Sequence, residues 1–208
     1  NLEALLFGSA GLLDAEKEDA YFKDLKFRYF YLLHKYQIEK SFIEPVQFFK
    51  HRPDNFPTIR LSQLANLFHK QQNLFSKVSN MNAIEVIYEI FQVSATSYWE
   101  THYQFDKESP KKKKALSKSF MDLLILNTVI PLQFAYAKSV GKEASEDLIT
   151  VLNDVEAEKN SIVEKFSSFG IKAKNAFETQ SLLQLKNEYC NKNKCLDCAI
   201  GVELLKTN

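Results

Sequence analysis

Three cysteines, Cys190, Cys195 and Cys198, are the only thiols in this 208-residue chain, and all three fall within "YCNKNKCLDCAIG" near its end. Cys195 and Cys198 form a C-x-x-C pair, a spacing that lets two sulfurs reach one ion. Cys190 lies close enough in sequence to join them. Zinc takes four tetrahedral ligands, so a histidine or carboxylate from elsewhere would have to complete such a site, and an iron–sulfur cluster is the second metal option. Two other readings stand beside a metal. Either the pair is a redox dithiol, because thiols at a helix start are readily ionised, or the three side chains are small buried hydrophobes, packed among Leu182, Leu185, Ile200 and Leu204, that hold the last helix down. All three readings expect the sulfurs to converge, with Cys190 ending one helix, a reversal over 191–194, and Cys195 to Cys198 opening the next.

Arginine is the second signal. The chain has 27 Lys and Arg together, of which only Arg28, Arg52 and Arg60 are arginine. Arg52 and Arg60 flank the proline turn "RPDNFPTIR". A guanidinium fork suits bidentate contact with carboxylate or phosphate, so the pair either clamps the turn to a buried acid or to backbone carbonyls, or faces nucleic acid. The run Lys111, Lys112, Lys113 and Lys114 is a solvated charge run or a phosphate-binding patch. Catalysis finds little support. None of the four histidines sits in a triad-like pattern, no H-E-x-x-H occurs, and no pair of carboxylates is marked out.

The elements that must carry these groups are helical. Hydrophobic residues make up 45% of the chain, while 5 Gly and 5 Pro are too few for an all-β sandwich. The net charge of +1 gives no global footprint for nucleic acid. Leu2, Leu5 and Leu6 form a short helix face that Gly8 terminates. Glu16 to Gln37 is a helix apolar nearly all round, which predicts a central, buried position. Pro57 starts a helix whose stripe is Leu61, Leu64, Ala65, Phe68, Phe75 and Val78. Asn82 caps another helix, with Glu85 in the capping-box position. The polar stretch 101–114 is read as one long loop and the candidate subdomain boundary. "SFMDLLILNTVIPLQFAYAKSVG" is long enough to span a bilayer, but Asp122, Asn127, Thr128 and Gln133 predict a buried soluble helix, broken at Pro131. Helices over 143–155, 161–169 and 174–190, and a last one near Cys195, complete an all-α, irregular multi-helix bundle of roughly eight to ten helices, a single helical domain over 1–208. No strand pair is expected. The absence of a signal peptide and the three cysteines point to a cytoplasmic protein, and the start at Asn1 points to a fragment of a longer chain.

Four stretches together carry a family resemblance: "NLEALLFGSAGLL", "RPDNFPTIRLSQLA", "NTVIPLQFAYAK" and "CLDCAIG". They resemble the C-terminal half of the bacterial domain of unknown function 2851 family. The resemblance implies a longer protein whose N-terminal half carries a nuclease-like core with its catalytic carboxylates. This chain would then be the helical partner of that half. The function so implied is a non-catalytic accessory domain that helps a nuclease-like domain hold nucleic acid through Arg52, Arg60 and Lys111 to Lys114. The alternative is a structural zinc module built on Cys190, Cys195 and Cys198. No membrane partner is expected.

Overall fold

The structure is a computed structural model describing residues 1–39, 44, 46–79, 83–143 and 145–206. It is all-α apart from one short hairpin. The helices are α1 (Leu2–Ser9), α2 (Ala20–Tyr36), α3 (Pro57–Lys70), α4 (Leu74–Ser79), α5 (Ile84–Phe91), α6 (Lys118–Leu124), α7 (Ile130–Ser139), α8 (Ser145–Asp154), α9 (Ser161–Ser168), α10 (Ala176–Gln184) and α11 (Ala199–Lys206). The hairpin pairs β1 (His102–Gln104) with β2 (Lys107–Glu108), antiparallel. The chain divides into two compact units. One comprises Asn1–Phe75 and Tyr88–Met121, the other Ser76–Ile87 and Asp122–Asn208. The stretch 101–114 therefore lies wholly inside the first unit and is not the boundary. It holds the hairpin, whose reversal places Asp106 at a left-handed φ of 62°.

In the first unit α1 packs on α2 and α3. Phe7, Phe22, Tyr29, Ile59, Trp99 and Phe105 form the centre of its core. The aromatic rings meet in an offset stack between Phe7 and Trp99 (5.4 Å) and edge-on between Phe22 and Phe105 (5.0 Å), the arrangements that ring quadrupoles favour. Gly8 does not stop α1. It sits inside the helix, and a Cβ there would lie 2.3 Å from the Tyr29 ring. The missing side chain is what lets α2 approach α1. The buried face of α1 is Glu3, Ala4, Phe7 and Gly8, while Leu2 is exposed.

Asp19 caps α2 by accepting from the Phe22 amide at 2.9 Å. The expectation of an all-round buried α2 is corrected. Phe22, Leu25, Tyr29 and Leu32 are buried, whereas Phe27 is 73%, Phe30 53%, Tyr31 55% and Tyr36 60% exposed. Apolar residues all round a helix do not require neighbours all round it. Pro57 is the first residue of α3, as expected, because a proline there loses no hydrogen bond. The buried residues of α3 are Thr58, Ile59, Ser62, Gln63, Ala65 and Leu67; of the stripe read from periodicity Ala65 and Val78 are buried and Leu61 half-buried, while Leu64, Phe68 and Phe75 are exposed. The cap assigned to Asn82 lies outside the described residues.

In the second unit α10 packs on α8 and α9, and α7 on α8. Ile125, Val129, Val151, Val155 and Ala176 are buried there. Asn160 and Asn175 cap α9 and α10, and the Glu178 carboxylate reaches back to the Lys174 amide at 2.7 Å. Pro131 does not break its helix. Helical residues run from Lys118 to Ser139, with a π turn over Ile125–Val129 in which the Ile130 amide donates to the Ile125 carbonyl. The ladder changes register just before the proline, so its missing donor falls where the spacing is already irregular. Among the described residues this is the one helix long and apolar enough to cross a membrane, and only 28% of its most apolar stretch is buried. The expected burial is thus also corrected. Two of its polar side chains have protein partners: Asn127 donates to the Leu123 carbonyl one turn back (2.9 Å), and Gln133 to the distant Val78 carbonyl (2.7 Å).

Gly8→Ala should destabilise the first unit by about 3 kcal/mol, an overpacking cost, because the new methyl meets a ring rather than a flexible chain end. Urea titration followed by Trp99 fluorescence measures it. An unchanged midpoint would contradict the close approach of α1 and α2.

Candidate functional site: a buried carboxylate and a charged proline turn

The first turn of α1 carries Glu3 into the core of the first unit, where the residue is 7% exposed. Three neutral donors converge on its carboxylate: the Trp99 indole N–H (2.6 Å), the Tyr21 hydroxyl (2.9 Å) and the Thr96 hydroxyl (3.4 Å). The Thr96 amide in turn donates to Ser62 Oγ at 2.9 Å. The network therefore ties α1 to α2, to α3 and to the 3-10 turn Ser97–Glu100. Burial, and then the adjacent Glu3 charge, hold the Tyr21 hydroxyl well above the ordinary phenol range. It stays a donor at any physiological pH. Charge-assisted hydrogen bonds of this kind are what make a buried carboxylate tolerable.

A second set of groups lies beside it. Tyr98 stacks between Tyr21 (4.2 Å) and His102 (4.1 Å). Its hydroxyl donates to Asp19 at 2.5 Å. Burial, and then Asp19, push the Tyr98 hydroxyl up. For Asp19 burial acts upward, but the Tyr98 hydroxyl and backbone amides outweigh it and leave the carboxyl below its usual value. Asp106 accepts from the Asp19 amide (3.1 Å) and from Lys17 (3.0 Å), fastening the hairpin to the start of α2. Every ionisable group here has a partner within the fold. The arrangement fastens the hairpin to the start of α2.

The structure brings together most of the basic residues singled out in the sequence, around the 3-10 turn Pro53–Asn55. Asp54 accepts from Lys112 (2.7 Å) and from the Tyr103 hydroxyl (3.0 Å). The Lys112 hydrogen bond holds the Asp54 carboxyl below its usual range, and Asp54 raises Lys112 in return. Lys114 is 3% exposed; its ammonium donates to the carbonyls of Trp99 and Glu100 and lies 3.9 Å above the Tyr103 ring. Burial lowers its pKa. Arg60 donates to Gln63 Oε1 (2.8 Å) and to Asn55 Oδ1, and its guanidinium stacks 3.5 Å above Phe120. Burial lowers it too, against the pull of Asp54.

The lysine run is therefore not one solvated patch. Lys114 is a core residue, and its carbonyl accepts from the Ala95 amide (2.9 Å) and the Gln63 amide (3.0 Å). Lys112 is engaged with Asp54, and Lys111 lies 3.5 Å from Glu100. Arg60 clamps the proline turn as expected, but through neutral amides instead of a buried acid or backbone carbonyls. Arg52, Lys111, Lys112 and Lys113 are the exposed cations of the set, and of these Lys112 is held by Asp54.

The cysteine expectations change as well. Cys190 lies in a 3-10 turn (Cys190–Lys192), Asn193 turns the chain at φ 53°, and Cys195–Asp197 forms another 3-10 turn before α11. Among the described residues no three His, Cys, Asp or Glu side chains group so as to hold a metal ion. Cys190, Cys195 and Cys198 do not converge as a ligand trio. Nor are they buried hydrophobes: Cys190 and Cys195 are exposed, Cys198 is half-buried, and Ile200 and Leu204 are 55% and 65% exposed.

Glu3, Tyr21, Thr96 and Trp99 went unnoticed in the sequence. An acid on the buried side of a short apolar helix and a sole tryptophan were the available signals. The exposed rings of α2 belong to the helix over 16–37, whose all-round apolar pattern predicts an interior position.

Glu3→Gln turns one acceptor oxygen into a donor facing donors, and should cost about 2–3 kcal/mol. A double-mutant cycle with Trp99→Phe should show coupling of about 1–2 kcal/mol; additive effects would contradict the network. Asp54 contributes stability above the ordinary carboxylate pKa of about 3.9, and loses it as pH falls through its lowered value. Because the pair is solvent-exposed, that contribution stays under about 1 kcal/mol. Lys112→Ala should raise the Asp54 pKa in an NMR titration and flatten the acid limb of the stability profile.

No curated protein and no solved structure matches the chain. One family model does, a protein of unknown function (DUF2851), over residues 1–161. That match takes in the buried carboxylate, the proline turn and the π-turn helix, and leaves the cysteine segment outside. By this match the chain belongs to the DUF2851 family.

Proposed function

We propose that this chain is a non-catalytic helical accessory domain that docks onto a nuclease-like domain and helps it hold nucleic acid. One observation carries the reading: the exposed ring row on α2. Phe27, Phe30 and Tyr31 stand at i, i+3 and i+4, and each is more than half exposed. Rings at this spacing form one continuous helix face, and an exposed apolar patch of this kind marks an interaction surface. The polar clusters of the first unit support the same reading, because Glu3, Lys114 and Arg60 are each engaged by neutral groups of the fold and Lys112 by Asp54. Arg52, Lys111 and Lys113 are the cations that remain available to phosphates.

Docking is tested with Phe27→Asp/Tyr31→Asp, which changes only exposed positions. The doubly substituted domain should no longer co-purify with the nuclease-like domain while keeping its circular dichroism spectrum. Retained co-purification would overturn the docking surface. Nucleic-acid contact is tested separately by anisotropy of a labelled oligonucleotide. Binding should weaken as salt rises, and Arg52→Ala/Lys113→Ala should reduce the salt slope by about 2. No binding at low salt by the two domains together would remove the nucleic-acid role.

A further inference from the structure

The three thiols do not group as a ligand trio, yet Cys195 and Cys198 are joined by one turn. Cys195 opens a 3-10 turn, and the Cys198 amide donates back to the Cys195 carbonyl at 3.4 Å. A chain reversal closed by this i to i+3 bond keeps its end Cα atoms within about 7 Å. A disulfide needs Cα atoms about 4.4–6.8 Å apart. Residues i and i+3 of a 3-10 turn also project on the same side. The turn is fixed from below by Gly201, where a Cβ would lie 2.3 Å from the Cys195 carbonyl oxygen. Only glycine lets α11 fold back under the turn, so the spacing C-x-x-C-x-x-G has a steric reason. Cys198 itself begins α11, since its carbonyl accepts from the Val202 amide at 2.8 Å. Cys190 belongs to a different 3-10 turn, separated by the left-handed residue Asn193. The outer thiol of the pair, Cys195, is exposed and the inner one, Cys198, is half-buried.

We infer that Cys195 and Cys198 form a reversible dithiol–disulfide site that exchanges with small-molecule disulfides, and that Cys190 takes no part. The Cys195 thiolate attacks one sulfur of glutathione disulfide, forming a mixed disulfide and releasing one glutathione thiolate. The Cys198 thiolate then attacks the Cys195 sulfur and releases the second glutathione. One disulfide is consumed and one is formed. Two electrons pass from the cysteine pair to glutathione disulfide, and the two thiol protons end on the two glutathione thiols. This inference is independent of the docking surface and the nucleic-acid role.

The test uses the whole chain in a series of glutathione redox buffers, quenched in acid, alkylated and analysed by mass spectrometry. The expected product is lighter by two hydrogen masses, keeps one alkylatable thiol, and yields a peptide linking Cys195 to Cys198. Cys190→Ser should leave the exchange unchanged. Cys198→Ser should stop at one glutathione on Cys195. Gly201→Val should reduce the exchange constant by about tenfold or more, because the added side chain pushes the turn off the helix. Its circular dichroism spectrum checks that the rest of the fold survives. A linkage to Cys190, separate glutathione adducts without an internal bond, or one tightly held zinc per chain that blocks the exchange would each overturn the inference.

Discussion

The first unit depends on one buried carboxylate. Glu3 enters the core on the first turn of a short helix, and the indole of Trp99 meets it at 2.6 Å. An ionised carboxylate in an apolar interior is expensive unless donors surround it. Here the donors come from two separate parts of the chain, Tyr21 on α2 and the segment from Thr96 to Trp99. Neither can shift without leaving the carboxylate uncovered, so the network defines where α1, α2 and the Ser97–Glu100 turn must lie. A core of leucine alone would tolerate small slips; a hydrogen-bonded charge does not.

The same logic governs the charges nearer the surface. The lysine run reads as four equivalent cations, but the fold treats each differently. Lys114 turns inward, where backbone carbonyls and the Tyr103 ring receive its ammonium. Lys112 reaches Asp54 on the proline turn, and Arg60 stacks on Phe120 while holding Asn55 and Gln63. These contacts brace the turn against the hairpin segment. They also remove the cations from any phosphate surface, which is why the nucleic-acid reading rests on Arg52, Lys111 and Lys113.

Legibility differed by kind of feature. Pro57 at the start of α3 could be read directly, because a proline's fixed φ and missing N–H allow few positions. The caps at Asn160 and Asn175 follow from equally local rules. Gly8 and Gly201 could not be read. Each is a glycine by virtue of something distant or folded back, the Tyr29 ring in one case and the Cys195 carbonyl in the other. Pro131 was half-legible: the lost hydrogen bond was certain, but a π turn instead of a break depends on how the whole helix is held.

What the sequence by itself determined is the helical character of the chain and the positions of most helix starts, since these arise from periodicity and from hydrogen bonds a few residues apart. The spacing of Cys195 and Cys198 predicts a helix start, whereas the fold makes it a 3-10 turn ahead of α11. Only the tertiary structure decided which apolar face is covered, which lysine is buried and which acid is central. Those outcomes turn on partners far away in the chain: Glu3 meets a residue 96 positions on, and Asp54 one 58 positions on. No local pattern encodes a pairing of that span, and burial is a property of the assembled neighbours, not of the helix that carries the residue.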